Sequence, residues 1–375
     1  MTSLQVDIVT SGECFSTLQT EWNDLLDRST SSSVFLRWEW LYSWWEHFSV
    51  DHRLFLVLVR NGQGLLLGIG PFCVVNNAPG LPRKALTFLG RTPASSEYLD
   101  IIVDKEYEDE VGTVLCEALL KGKPDWSVLH LESLLPNALI GCRLKATQPA
   151  EGYSFDQSFL YESPYLTLPT DEGQLLEQIR PTLRTTIRRK SKKLDKQHGQ
   201  IDFASTEQVP ERMTGLFALH QKCWTQRGQS GNFRNLPVQE FHHSVAQRFC
   251  RSGLLRLATL TVAGVPAAHL YGFRFKERFY YYQSGYDPDF TTLSPGTLLM
   301  WGCLRQAIAD GVETFDFLRG SEKYKALWTD QSQVSTTMIL LPQGLSFARF
   351  YYFGRKLRSR GATAIRGFFE ERADG

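Results

Sequence analysis

Four side chains in the second half of the sequence could take part in proton transfer. Asp316 alternates with phenylalanines on a predicted strand, and burial there would raise its pKa unless a cation pairs with it. Asp287 and His269 are the other candidate bases, and the Tyr282 hydroxyl could donate or accept a proton. Each has a structural alternative: an ion pair for Asp316, a buried core position for His269, and simple packing for Tyr282. As a set, they could take part in general acid–base catalysis.

Polar residues that could bind an anion follow the last predicted strand. They are Arg319, Tyr324 and Lys325. The ends of strands in α/β sheets are usual places for ligand contacts, so these residues could bind a phosphate or carboxylate of an acceptor. A solvated turn is the competing interpretation.

A second candidate anion site lies at the start of the helix predicted over residues 296–310. Ser294, Gly296 and Thr297 surround this start, together with a proline at the first turn. The backbone N–H groups of a first helical turn have no partner within the helix and can therefore meet an anion. An ordinary helix start remains the alternative.

Motifs and composition exclude several classes of protein. The sequence has no P-loop, no GxGxxG after a predicted strand, no HExxH, no GxSxG and no EF-hand loop. Its seven cysteines form no CxxC pair and no zinc spacing with histidines, which favours a reduced, cytoplasmic chain without a metal site. The formal net charge of +1 provides no overall attraction to nucleic acid or lipid. We also expect no signal peptide and no membrane helix, because no apolar run approaches about 20 residues.

The predicted elements occur twice in the same order. Each half has a short strand, two helices, a hairpin, a further strand, a helix and a final strand. In the first half these cover residues 5–9, 17–27, 35–48, 54–75, 98–103, 107–121 and 127–131. In the second half they cover residues 203–205, 211–227, 238–250, 255–275, 278–284, 296–310 and 314–318. The shared order predicts two degenerate copies of one α/β unit, with two unrelated α/β domains as the alternative.

Two basic segments lie outside this repeat. A helix predicted over residues 180–196 has an apolar stripe and a basic opposite face that includes Arg188. That face could be solvated, could contact an anionic substrate such as a tRNA or a nucleotide-linked sugar, or could meet a membrane surface. Residues 346–372 are predicted to form a basic amphipathic helix, for which peripheral membrane contact is one hypothesis.

The second half resembles the GNAT acyltransferase superfamily. It is most similar to the double-GNAT group, which includes the CelD-type proteins of exopolysaccharide gene clusters and the Fem-type peptidoglycan aminoacyltransferases. The resemblance is carried by residues 264–268 (GVPAA), 281–287 (YYQSGYD), 294–296 (SPG) and 315–320 (FDFLRG), followed by Tyr324, Lys325 and Trp328. The ordered set, rather than any single motif, is specific.

The resemblance implies an α/β fold of two tandem GNAT-like domains, each with a mixed, mostly antiparallel twisted sheet flanked by helices. It implies a non-catalytic domain over residues 1–165, a basic helical linker over 166–200, a catalytic domain over 201–345 and a C-terminal helix over 346–375.

GNAT enzymes bind acyl-CoA along a splayed strand, with the pyrophosphate at the N-terminus of the following helix. The resemblance therefore implies an acyl-CoA co-substrate, contacted by Ser284 and Gly285 on the strand and by the residues around Gly296. The implied reaction transfers an acyl group to a small-molecule or saccharide amine in exopolysaccharide or cell-envelope biosynthesis. Two alternatives remain: a Fem-type transferase that uses aminoacyl-tRNA, and a non-catalytic scaffold or regulator of polysaccharide assembly.

Overall fold

A computed structural model describes residues 3–76, 84–120, 126–147, 153–226, 231–320 and 322–342. The first half contains β1 (Gln5–Val9), α1 (Gly12–Thr17), α2 (Gln19–Arg28), α3 (Trp38–Phe48), β2 (His52–Arg60), β3 (Leu66–Asn76), β4 (Lys84–Phe88), β5 (Ile102–Val103), α4 (Glu108–Leu120), β6 (Val128–Leu134), α5 (Leu139–Thr147) and β7 (Tyr153–Thr167). The remainder contains α6 (Glu172–Gln178), α7 (Pro181–Lys196), β8 (Gln200–Phe203), α8 (Val209–Gln226), α9 (Leu236–Arg251), β9 (Leu255–Val262), β10 (Val265–Phe275), β11 (Arg278–Tyr286), α10 (Pro295–Ala309), β12 (Thr314–Asp316) and β13 (Ser332–Pro342).

Local sequence signals explain the best-predicted elements. Between β2 and β3 the Asn61 side chain accepts hydrogen bonds from the N–H groups of Gln63 and Leu65, both at 3.0 Å, and this closes the predicted hairpin. The basic helix α7 begins at a proline and buries only its apolar stripe, Leu183, Ile187 and Leu194.

The two halves have the same sheet topology. Strands β1–β2–β3–β4–β6 and β8–β9–β10–β11–β12 are neighbours in that order. In each set the last pair is parallel and the others are antiparallel. The α/β fold class with a mixed, mostly antiparallel sheet flanked by helices is therefore confirmed.

The observed elements differ from the predicted ones in several places. The strand predicted over residues 98–103 is reduced to β5, which pairs with β3, and the repeat of β11 is instead β4. The helix predicted over residues 35–48 starts only at Trp38, after a short 3₁₀ turn at Val34–Leu36. Strands β7 and β13 were not predicted. The helix predicted over residues 346–372 lies outside the described residues.

Strands β7 and β13 join the halves into one continuous sheet. β13 pairs with β6 of the first half, and β7 pairs with β13 along most of its length and with β12 of the second half at Tyr165–Thr167. Each half is thus completed by the last strand of the other. The domain boundaries at residues 165 and 201 stay a prediction, and hydrogen-bonded strands cross them.

The halves also share a hydrophobic core. Trp40 on α3 packs against Phe241 and Phe249 on α9, with ring centroids 5.1 and 6.2 Å apart. A second core lies under α7 and α10 and includes Tyr281 and Phe315. In the described part of the chain, no helix is long and apolar enough to cross a membrane.

Candidate functional site

The site forms where β11 and β12 diverge. The two strands pair only from Arg278 to Tyr280 on β11, so their later residues separate. A β-bulge follows, because neighbouring residues of β10 pair with Tyr281 and Gln283 and leave Tyr282 between them. A cleft of about 390 Å³ opens in this gap.

The cleft collects residues from four elements and the segment after β12. Its lining includes Leu183 of α7, Cys223 and Trp224 of α8, Tyr281, Gln283, Ser284 and Tyr286 of β11, Ser294–Thr297 and Met300 around the start of α10, and Glu322, Tyr324, Leu327 and Trp328. The predicted residues Ser284, Ser294, Gly296, Thr297 and Tyr324 therefore lie together.

The start of α10 is suited to an anion. Ser294 adopts a left-handed conformation (φ 55°), its side chain makes no cap hydrogen bond, and the first turn has no acidic residue. The N–H groups of Thr297 and Leu298 bond to the Ser294 carbonyl, whereas the Gly296 N–H has no acceptor among the described residues. This N–H and the helix dipole are available to a negatively charged group.

The corresponding helix of the first half has the opposite character. The first turn of α4 carries Glu108, Asp109 and Glu110. These carboxylates repel an anion at that helix start. A cavity of about 340 Å³ lies beside this helix start, and the carboxylates of Asp100 and Glu108 line it. Of these two described helix starts, the one of α10 is therefore the one suited to an anion.

The basic helix α7 contributes two cations beside the start of α10. Lys190 Nζ donates to the Thr292 carbonyl at 2.5 Å, and Lys193 Nζ donates to the Thr292 hydroxyl at 3.3 Å. Thr292 lies just before Ser294, so two ammonium groups flank the start of α10. Arg188 is exposed on α7 and is not among the cleft-lining residues.

Three hydroxyl groups form a chain in the cleft. The Tyr281 and Ser284 oxygens are 2.5 Å apart, and the Tyr324 hydroxyl donates to Tyr281 at 3.3 Å. Burial raises the pKa of Tyr281, so its hydroxyl stays protonated at neutral pH. The sequence prediction named Tyr282 rather than Tyr281. Alternation puts the two side chains on opposite faces of β11, and the sequence alone does not say which face lies toward the cleft.

Asp316 does not lie in the cleft. Its carboxylate is fully buried and accepts hydrogen bonds from Arg278 at 2.7 Å, Leu318 N–H at 2.8 Å, Tyr98 at 3.1 Å and Gln333 at 3.1 Å. Burial raises the pKa of Asp316, and the Arg278 guanidinium opposes that rise. The geometry is that of a buried ion pair, the structural alternative considered for this residue, and a general-base role stays a prediction.

The other predicted proton-transfer residues are also outside the cleft lining. His269 is buried, bonds to Thr259 through Nδ1 at 2.9 Å, and has its pKa lowered to about 4 by burial. Burial opposes ionisation of Asp287, but its ion pair with Lys222 at 2.5 Å lowers the pKa overall. The Tyr282 hydroxyl donates to the Ala94 carbonyl at 2.8 Å. Each of these groups already has a structural partner.

Lys325 and Gly285 have structural roles as well. Lys325 is buried, and its ammonium group donates to the carbonyls of Leu318 (3.1 Å) and Arg319 (2.8 Å), which holds the turn after β12. A Cβ on Gly285 would lie 2.4 Å from the backbone nitrogen of His220, so this glycine permits the close approach of α8 to β11. Neither residue faces the cleft, in contrast to the prediction.

Arg319 lies at the junction of the halves beside a buried carboxylate. Its N–H donates to both Glu97 oxygens at 2.9 and 3.0 Å, and the Ser163 hydroxyl donates to the same carboxylate at 2.9 Å. Burial raises the pKa of Glu97 to about 7, and the nearby Asp316 carboxylate adds to the effect.

Replacing Glu97 with glutamine is expected to flatten the dependence of stability on pH. The folded pKa of about 7 exceeds the ordinary value of 4.5, so the stabilising contribution is present below pH 4.5 and is lost as the pH rises through 7. Linkage gives a loss of about 3 kcal/mol in the wild type. Urea unfolding at pH 5 and pH 8 measures this, with the exposed Glu106→Gln as control. An equal pH dependence in wild type and Glu97→Gln would contradict the assignment.

Comparisons with known proteins agree with this geometry. Residues 182–326 match the family described as Acetyltransferase (GNAT) domain. The structure of FemX is similar over 89% of this chain and 96% of its own, with 10% identity and a TM-score of 0.62. A conserved protein of unknown function from Bacteroides thetaiotaomicron is similar over 90% and 100%, with 13% identity and a TM-score of 0.58. No curated protein sequence matches the chain.

A third similar structure is the C-terminal domain of a protein from Agrobacterium fabrum assigned as a lysylphosphatidylglycerol synthetase. It covers 95% of this chain and 97% of its own, with 11% identity and a TM-score of 0.53. These matches confirm that the chain has the double-GNAT fold and that residues 182–326 form a GNAT domain. The GNAT acetyltransferase domain over residues 182–326 supports an enzyme of the acyltransferase class.

Proposed function

We propose that the protein transfers an acyl group from acyl-CoA to an amine acceptor in exopolysaccharide or cell-envelope biosynthesis. The observation that carries this proposal is the cleft between the splayed strands, which ends on an uncapped helix start flanked by Lys190 and Lys193. The envelope setting is supported by the resemblance to the CelD-type and Fem-type proteins. The seven cysteines are free thiols, as in a reduced compartment, and we place the reaction in the cytoplasm. Membrane contact through residues 346–375 stays a prediction.

The lining residues fit the parts of acyl-CoA. The apolar side chains of Leu183, Met300 and Trp328 suit the pantetheine arm. The diphosphate would meet the Gly296 N–H and the two lysine ammonium groups at the start of α10. In this arrangement, cations from α7 replace the basic, glycine-rich loop of other GNAT enzymes.

The chemistry requires a proton for the leaving group. The acceptor nitrogen attacks the thioester carbonyl, the C–S bond breaks, and the CoA thiolate leaves. We assign the Tyr281 hydroxyl as the acid that protonates this thiolate. The proton that the acceptor nitrogen loses on becoming an amide returns to Tyr281 through Ser284 and Tyr324.

Acetyl-CoA binding tests the donor site. Isothermal titration is expected to detect binding to the wild type and about tenfold weaker binding to Lys190→Ala/Lys193→Ala, because two phosphate contacts are lost. The matched control is Arg189→Ala/Lys196→Ala, which removes the same charge from exposed positions on α7. No heat at millimolar acetyl-CoA, or equal losses in both double variants, would contradict the proposal.

A Fem-type reaction with aminoacyl-tRNA is the second candidate. The exposed cations of α7 favour it, since Arg188, Arg189, Lys192 and Lys196 face solvent next to the cleft entrance. A gel shift with aminoacyl-tRNA, without acetyl-CoA binding, would select this candidate.

A further inference from the structure

A small cavity lies at the junction of the halves, on the other side of β11 from the cleft. Tyr281 packs into the core under α10, whereas Tyr282 packs against Trp40 of the first half, with ring centroids 5.4 Å apart. The Tyr282 hydroxyl bonds to Ala94, and the next residue, Ser95, lines the cavity. We call this space the seam cavity. Its volume is about 30 Å³, which is room for one small polar group.

Charged side chains from both halves line the seam cavity. Arg91 of the first half and Arg319 of the second half line it together with one carboxylate, Glu132. Arg91 approaches Glu132 only loosely, with Nη2 and Oε2 3.7 Å apart. The Arg319 guanidinium lies 5.7 Å from the Tyr161 ring centroid and has no carboxylate within 4 Å in the described part of the chain. Two guanidinium groups therefore share the cavity lining with the partly engaged Glu132, while the buried Glu97 behind it is occupied by the Arg319 N–H and Ser163.

Buried polar atoms around Glu132 have no partner. Arg91 Nε and His130 Nδ1 are both buried without a hydrogen bond among the described residues. His130 is 9% exposed, and its Nε2 lies 3.7 Å from Glu132 Oε1. Because buried polar groups in folded proteins are nearly always paired, these atoms indicate a place where a ligand completes the hydrogen bonding.

We propose that the seam cavity binds an anionic group, a carboxylate or a phosphate monoester, on the amine acceptor. Arg91 and Arg319 would hold the anion, since guanidinium forks match both oxyanions, and Glu132 would hold the acceptor ammonium. The donor cleft and the seam cavity lie on opposite sides of β11, so an acceptor amine held in the seam would reach the thioester through the gap where β11 and β12 diverge. The inference rests on the proposed acyl transfer and narrows its acceptors to amines that also carry a negative charge. It also assigns a role to the first half, which supplies Arg91 and Glu132.

Binding of three amino sugars tests the proposal. Glucosamine has an amine without an anion, glucosamine 6-phosphate adds a phosphate monoester, and muramic acid adds a carboxylate. By isothermal titration, at least one anionic sugar is expected to bind tenfold or more tightly than glucosamine. Arg91→Met and Arg319→Met are each expected to remove this preference, while the exposed Arg251→Met keeps it.

The acetyl-CoA affinity of the same variants separates the two proposals. We expect the affinity for acetyl-CoA to stay within twofold of wild type in all three arginine variants. This result would also show that the variants are folded. If neither anionic sugar exceeds glucosamine, or if the preference survives in Arg91→Met and Arg319→Met, the seam-cavity proposal is overturned. If the arginine-dependent preference is found but acetyl-CoA does not bind, the anion site stands and the acyl-CoA donor is wrong.

Discussion

Replacing Tyr281 with phenylalanine is expected to lower kcat by about 100-fold while leaving the affinity for acetyl-CoA within about threefold. The hydroxyl lies at the centre of the chain that joins Ser284 and Tyr324 in the cleft. Its raised pKa keeps the proton available for a leaving thiolate. Removing it leaves the cleft shape nearly unchanged, because the tyrosine ring is retained as phenylalanine.

The measurement is CoA thiol release with acetyl-CoA and the most tightly bound amino sugar. Tyr286→Phe is the matched control, because this ring lines the same cleft and stands outside the hydroxyl chain. Ser284→Ala, which shortens the chain at one end, is expected to give a smaller loss of about tenfold. Full activity in Tyr281→Phe, or an equal loss in Tyr286→Phe, would remove Tyr281 from the mechanism.

Replacing Asp316 with asparagine is expected to lower the free energy of unfolding by about 3 kcal/mol, because it leaves the largely buried Arg278 without its counter-charge. The carboxylate is fully buried and Arg278 is its closest partner at 2.7 Å. Asparagine at this position can still accept hydrogen bonds from Tyr98 and Leu318. The decrease in the free energy of unfolding therefore comes mainly from the lost ion pair with Arg278.

Urea unfolding at pH 7 measures this loss, with the exposed Asp289→Asn as control. The same experiment separates the two roles considered for Asp316. A structural ion pair predicts reduced stability and an activity that recovers when the folded fraction is taken into account. A general base predicts a stability close to wild type and a loss of turnover, and that outcome would reinstate Asp316 as a catalytic candidate.

Part of the site follows from local sequence signals. The start of α10 was predicted from Ser294, Pro295 and Gly296, and the structure places these residues at the cleft. The apolar stripe that α7 buries was predicted from the helical spacing of Leu183, Ile187 and Leu194. Such features depend on the backbone preferences of neighbouring residues and on helical periodicity, so they can be predicted without knowledge of the fold.

The features that the sequence alone could not decide have one physical cause in common. Each depends on contacts with residues that are far away in the chain. Asp316 was predicted as a base because its sequence neighbours are apolar, but Tyr98 and Arg278 reach it from elsewhere in the chain. Strand β7 was missed because most of its residues are only half-buried, so its sequence lacks a clear alternation of apolar and polar positions.

The sequence by itself determined the repeat of the α/β unit, the basic helix beside the second copy and the helix start that suits an anion, because each is encoded by short-range patterns. Only the tertiary structure decided that the copies exchange β7 and β13, since strand pairing depends on chain segments far apart. It also decided that Tyr281 faces the cleft and Tyr282 the seam. Neighbouring strand residues point to opposite faces, and which face lies toward which half depends on the tertiary packing.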